Sequence, residues 1–190
     1  MITEKSEQTM VEWGCVHGRF QPFHNEHLEY VLAAKKKCRY LLVGITRYDH
    51  QPCQLGDSHR GTIAANPFNY RERSLMIKEA LLGAGLQYGE FDITPFPIDN
   101  TESLSAFIPK FFVCYTTIRE PWNIEKVHIL KDEGYNVDVL WDKCGEKKIS
   151  GTFIRQLIRQ DNPHWKSLVP AETIARIEAA VQANPKLWLD

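Results

Sequence analysis

Two histidines three residues apart, His24 and His27, follow the run Gly18-Arg19-Phe20-Gln21-Pro22-Phe23. The combination suits chemistry on a triphosphate. As a nucleophile reaches the α-phosphorus, its oxygens gain negative charge, so the site needs cations and hydrogen-bond donors already in place. A helix beginning at His24 sets both imidazoles on one face near its positive end. Gly18 allows a tight turn, Pro22 stiffens the approach, and Arg19 adds a planar, permanent cation. By itself the pair serves equally well as a surface histidine cap on that helix.

A second candidate lies near the carboxyl end, in Ile149-Ser150-Gly151-Thr152-Phe153-Ile154-Arg155. It has the form of a loop entering a helix, where Ser150 or Thr152 caps free backbone N–H groups that also suit an anion. Arg155 follows about one turn later with a forked set of donors. Alone, this is an ordinary N-cap followed by a solvated arginine.

The elements that must position these residues alternate. Glu12 to His17 has the character of a short buried strand, and His24 to Lys37 has helical spacing through Leu28, Val31, Leu32 and Ala34. Tyr40 to Thr46 is a nearly continuous apolar run, as in a parallel strand covered on both faces. Helical periodicity returns over Asn69 to Leu82. Strands are expected at Phe91 to Phe96, Phe112 to Thr117 and Asn136 to Trp141. Helices are expected from Ser103 to Phe107, Pro121 to Glu133, Ser150 to Arg159 and Ala171 to Ala183. Such alternation predicts an α/β fold, a doubly wound parallel sheet with a helical C-terminus, whose ligand lies beyond the carboxyl ends of the strands. One domain is expected over residues 11–190, behind a flexible N-terminus at residues 1–10. Residues 47–66 lack periodicity and form a long functional or mobile loop.

Taken together, G-R-F-Q-P-F-H-x-x-H resembles the signature of the HxGH nucleotidylyltransferases, most of all the archaeal-type nicotinamide-nucleotide adenylyltransferases. I-S-G-T-x-I-R resembles their second signature, in the expected order. Asn66-Pro67-Phe68 ahead of Glu72-Arg73, and Trp165 with Leu168-Val169-Pro170, extend the resemblance over most of the chain. It implies a Rossmann-like fold in which His24 and His27 stabilise the transition state with Arg19 and Arg155. Gly18, Phe20, Ser150, Gly151, Thr152, Thr116 and Thr117 are then expected at the nucleotide. The acceptor's own phosphate attacks in line, pyrophosphate leaves, and no covalent enzyme intermediate forms. Mg2+ is expected with the triphosphate, and relatives of this kind often assemble into oligomers.

Three departures mark this chain. Glu26 stands where the family usually has glycine before the second histidine, a glycine that lets nucleotide approach the helix backbone. Residues Ile98 to Phe107 lack the tryptophan that stacks on nicotinamide. Cys114 to Asn123 replaces the usual Ser/Thr-Gly-Asn-Pro stretch. Tyr115-Thr116-Thr117-Ile118 followed by Trp122-Asn123 is more similar to cytidylyltransferases acting on small phosphonates, including the CTP:phosphonoformate type. Arg119 is a candidate grip for an acceptor anion. Trp122 is a candidate base platform or, equally, a helix-start anchor, and Asn66 is a further acceptor candidate.

The expected reaction is therefore transfer of CMP from CTP to the phosphate or phosphonate of a small acceptor. Nicotinamide-nucleotide adenylyltransferase is the nearest rival. A nucleotide-sensing domain that binds triphosphate without turnover is a rival of another class. The 23 basic and 24 acidic residues nearly cancel, which disfavours nucleic acid as partner. No apolar run approaches the roughly 20 residues of a bilayer span, so a soluble protein is expected. Five cysteines without a C-x-x-C pair, and no secretory leader, point to reduced thiols in the cytoplasm. His50, Cys53 and His59 match no standard zinc spacing, and no residue is assigned as a metal ligand.

Overall fold

A computed structural model describes residues 10–49, 62–119, 121–142 and 149–188. Apart from Met10, the expected flexible terminus lies outside the described residues, as do His50, Cys53 and His59.

Among the described residues, five strands form one wholly parallel sheet: β1 (Val11–Gly18), β2 (Cys38–Ile45), β3 (Phe91–Pro95), β4 (Val113–Ile118) and β5 (Asn136–Asp142). Their spatial order is β3-β2-β1-β4-β5. The order reverses between β1 and β4, which opens a crevice at the carboxyl ends of those two strands. Among the described residues, six α-helices connect and follow them: α1 (Asn25–Lys35), α2 (Tyr70–Gly83), α3 (Leu104–Phe107), α4 (Pro121–Asp132), α5 (Gly151–Arg159) and α6 (Ile174–Ala183). Among the described residues, no helix is long and apolar enough to cross a membrane.

Side chains alternate across the strands, so each strand serves two cores. Val16, Leu41, Val43 and Ile45 pack with Val31 and Ala34 of α1, Met76, Ile77 and Ala80 of α2, and Ile154 and Leu157 of α5. Cys15, Leu42 and Cys114 face the other way, toward Phe96, Leu104, Ile108 and Leu130. The near-continuous apolar run of β2 follows from this two-sided burial.

Two helix starts bear on the site. His24 is not within α1 but caps it, with extended backbone at φ −134° and ψ 173°. The helix therefore begins one residue later than its periodicity suggested. Asn69 caps α2: its Oδ1 accepts the N–H of Glu72 at 2.9 Å, while its own N–H donates to Glu72 Oε2 at 2.8 Å. Such a reciprocal cap fixes where the helix starts, and with it the direction of Arg73 one residue on.

Candidate active site

The crevice between β1 and β4 holds about 170 Å3 of space and is lined by both signature segments together with Thr46, just after β2, and residues from β4 and α4. A wider groove of about 920 Å3 runs between α1 and the β4–β5 side of the sheet. None of the residues of the two signatures lines that groove, and an ion pair of 2.7 Å between Lys37 and Asp138 lies across it.

His24 and His27 meet at the amino end of α1. Their rings stack with centroids 3.5 Å apart and planes inclined by 20°. The His24 backbone N–H donates a long bond, 3.4 Å, to His27 Nδ1. That contact makes Nδ1 the acceptor and leaves Nε2 to carry the proton of the neutral ring. The edge of the Phe20–His27 pair (5.0 Å, 87°) and the tilted Phe23 ring (5.7 Å) hold His27 in place. Helix cap and histidine pair, open alternatives from sequence, are thus one arrangement.

Gly18 proves necessary for room rather than for turning. It ends β1 without a positive φ, and a Cβ there would lie 2.7 Å from the Phe20 ring, which folds back over it. The turn itself is made by Phe20, whose φ of 53° lies in the left-handed region that costs a bulky side chain energy. The strain is held by burial: Phe20 is 1% exposed and packs on Phe23.

Distant segments clasp this turn. The Gln21 side-chain amide donates to Phe68 O at 2.7 Å and accepts the Phe68 N–H at 3.0 Å. Arg73, fully buried, donates through Nη1 to the carbonyls of Arg19 and Thr46, both at 2.8 Å, and through Nη2 to that of Arg47 at 2.7 Å. One guanidinium therefore joins the ends of β1 and β2. Burial first, then the neighbouring Arg19, pulls its pKa down to about 10.

The second signature meets the first directly. Ser150 caps α5, its Oγ accepting the Phe153 N–H at 3.1 Å. Gly151 sits so close to Gln21 O that a Cβ would collide with that oxygen. Arg155 Nη1 donates to the same carbonyl at 2.6 Å, and Nη2 donates to Thr152 Oγ1 at 3.2 Å. The pKa of Arg155 is lowered to about 10 by burial, then by the charges of Arg19 and Arg159. An anion bound between Arg19 and Arg155 would relieve that crowding. The amino ends of α1 and α5 add their dipoles to the same cleft.

Glu26 has work of its own. Its Oε1 accepts the Ile149 N–H at 3.1 Å, and its Oε2 lies 3.6 Å from Arg119 Nη1. The carboxylate therefore braces the loop into α5 and pairs with the cation expected to grip the acceptor. Arg119 is further tied through its N–H to Asn123 Oδ1 at 3.1 Å. Trp122 lies at the start of α4, its ring 4.3 Å from Lys126 Nζ.

Gly18, Arg19, Phe20, His24, His27, Thr116, Thr117, Arg119, Trp122, Gly151, Thr152 and Arg155 all line the cleft. Ser150 and Asn66 do not. Ser150 instead caps α5, and Asn66 is 3% exposed with its Nδ2 donating to Thr62 O at 2.9 Å. Sequence reasoning singled out neither His17 nor Lys126, which also line the cleft. A histidine closing an otherwise apolar strand just before Gly18 was the available signal for the first. Glu26 is the only carboxylate among the described lining residues, and these contain no group of three His, Cys, Asp or Glu suited to a metal.

Residues 15–157, a span that contains both signatures, match the cytidylyltransferase-like family. The chain belongs to that family of nucleotidylyltransferases. Among family relatives, phosphonoformate cytidylyltransferase of Streptomyces viridochromogenes is 35% identical over 174 residues, covering 90% of this chain and 93% of that protein. Nicotinamide-nucleotide adenylyltransferase of Saccharolobus solfataricus is 31% identical over 162 residues, 83% and 84% of the two chains. Among solved structures, the bifunctional NMN adenylyltransferase/ADP ribose pyrophosphatase of Francisella tularensis superposes with a TM-score of 0.64 at 15% identity. It is matched over 94% of this chain but only 52% of its own, and at that identity the likeness concerns the fold alone. A form of the same protein complexed with AMP and a manganese ion superposes at 0.59.

Proposed function

We propose that this cytidylyltransferase-like protein transfers CMP from CTP to a small phosphonate or phosphate, releasing pyrophosphate. The observation that carries the reaction is the stacked His24/His27 pair brought against Arg155 and Thr152 in one cleft. The choice of substrate rests on the 35% identity, over nearly the whole of both chains, to a phosphonoformate cytidylyltransferase, and on a Cys114 to Asn123 stretch unlike that of the adenylyltransferases.

In this mechanism an acceptor oxygen attacks the α-phosphorus in line, and the bond from that phosphorus to the α,β-bridging oxygen breaks. His27, with its proton on Nε2, donates to an α-phosphoryl oxygen as charge accumulates, beside His24. Arg19 and Arg155 hold the departing pyrophosphate, aided by the free N–H groups at the start of α5. Thr116 and Thr117 at the end of β4, with Trp122, border the nucleotide or acceptor, and Arg119 reaches the acceptor anion from its pair with Glu26.

The cleft residues are donors and cations, a poor match for a dedicated metal site. Mg2+ is proposed to arrive as the triphosphate complex, and no step is assigned to it. The same reading places the enzyme in the cytoplasm.

The test is pyrophosphate release from each of four nucleoside triphosphates against phosphonoformate, other small phosphonates and nicotinamide mononucleotide. CTP with a phosphonate is expected to give the fastest release. Turnover of ATP with nicotinamide mononucleotide alone would make the protein an adenylyltransferase. Triphosphate binding without release for any pair would make it a sensor.

A further inference from the structure

His17 is the penultimate residue of β1 and is 4% exposed. Its ring stacks on Phe96 at 4.4 Å with planes 14° apart. Phe96 is itself pinned, because its ring and Cβ lie where a side chain at Gly44 would be. The imidazole is therefore fixed, yet among the described residues neither ring nitrogen meets a hydrogen-bond partner. A buried group of this kind costs free energy that an aliphatic side chain would avoid, and the other inward residues of β1 are apolar or small. Packing alone thus gives no reason for histidine here.

The ring lines the same cleft as Thr46, Thr116 and Lys126. Lys126 is 7% exposed, an unusual depth for a lysine. His17 shares its side of the sheet with Cys15, and so with the Phe96, Leu104 and Leu130 core. Arg155 belongs to α5, whose Ile154 and Leu157 pack on the opposite core. The cleft thus has two cationic or donor walls on opposite faces of the sheet, and the histidine pair, at the start of α1, belongs with Arg155.

We infer that His17 and Lys126 form a subsite for a second anionic group of the acceptor, one that does not attack phosphorus, such as a carboxylate. This rests on the transfer reaction proposed above. It specifies a compact acceptor with an anion at each end, one oxygen directed at the α-phosphorus and the other group held between the imidazole and the ammonium. Burial, and then the charge of Lys126, hold His17 neutral in the absence of ligand. An anion placed against both groups would favour a proton on the ring and give the unpartnered His17 imidazole a charge-assisted contact.

The test compares two acceptors that attack through the same phosphonate group: phosphonoformate, which carries a carboxylate, and methylphosphonate, which does not. In His17→Val, the loss of kcat/KM on phosphonoformate is expected to exceed the loss on methylphosphonate at least tenfold, mostly through KM. The dissociation constant of CTP is expected to move less than threefold. Equal losses on the two acceptors, or no loss, would overturn the subsite. Should His17→Val fold poorly by circular dichroism, Lys126→Met carries the same expectation and the same refutation. A third readout needs no turnover. In 15N-labelled wild-type protein, saturating phosphonoformate is expected to move the His17 ring nitrogens toward the protonated pattern, and methylphosphonate is not. Absence of that selective shift refutes the subsite. Absence of pyrophosphate release in wild type refutes instead the reaction on which it rests.

Discussion

The carboxylate of Glu26 accepts the backbone N–H of Ile149 at 3.1 Å, joining residues 123 positions apart at the mouth of the cleft. A residue that replaces the family's usual glycine is therefore a brace, and its second oxygen faces Arg119. Glu26→Ala is expected to lower stability by about 1–2 kcal/mol, through the lost charge-assisted bond to Ile149 and the loss of the mostly buried pair with Arg119. Glu26→Gln keeps an acceptor for Ile149 and should lose less. Urea midpoints of the two variants, alongside wild type, check the order.

His27 holds its orientation through His24 and the two phenylalanines, so removing it should affect turnover far more than folding. His27→Ala is expected to reduce kcat by about 100- to 1,000-fold, the usual cost of one transition-state donor. Affinity for CTP should change less than about tenfold. Single-turnover rates and calorimetric CTP binding separate the two, and near-normal turnover in a folded variant would remove His27 from the chemistry.

Arg73 touches three carbonyls of the β1 and β2 ends and lies beneath the cleft rather than in it. Arg73→Met leaves those oxygens buried without donors, at about 1–3 kcal/mol each before relaxation. The expected result is a loss of several kcal/mol, read as a large drop in melting temperature. Arg73→Lys should recover part of it, because one ammonium can serve some of the three acceptors.

A pH effect follows from His17. Burial and Lys126 depress its pKa well below the ordinary 6.5. Beneath that pH the unfolded chain takes up a proton that the folded chain refuses, so stability is fully present above about 6.5 and declines as pH falls. The decline approaches about 1.4 kcal/mol per pH unit until the folded pKa is reached. Unfolding of wild type and His17→Val at pH 7, 6 and 5 isolates it: the wild type should lose more on acidification than the variant.

Gly151→Ala places a methyl group against Gln21 O, where Arg155 also docks. The two signature segments must then move apart, because the atom in the way is a backbone oxygen that cannot rotate aside. Weaker triphosphate binding is expected with secondary structure unchanged, as seen by CTP titration and circular dichroism.

The alternation of strands and helices was legible because two-sided strands and amphipathic helices leave periods in the sequence. Boundaries fell within a few residues. The histidine pair was legible as a pair, but the helix expected to begin at His24 begins at Asn25, since an N-cap has the spacing of its helix without the backbone of one. The partners of Glu26, Gln21 and Arg155 lie 123, 47 and 134 positions away, and no local pattern encodes such contacts. Asn66 illustrates the converse: proximity in a motif suggested the acceptor, whereas its amide is engaged with Thr62 in the adjoining turn.

Gln21 is held at both ends, its side chain by Phe68 and its carbonyl by Arg155. The first signature, the turn before α2 and the second signature consequently behave as one transplantable part. A chimera exchanging residues 18–27 alone with a relative would carry mismatched fittings at two distant seams. Swaps of 98–107 or 115–123 would leave those three segments joined. Engineering of new substrate pairs on this scaffold is therefore best confined to those two stretches, with the clasped segments inherited as a block.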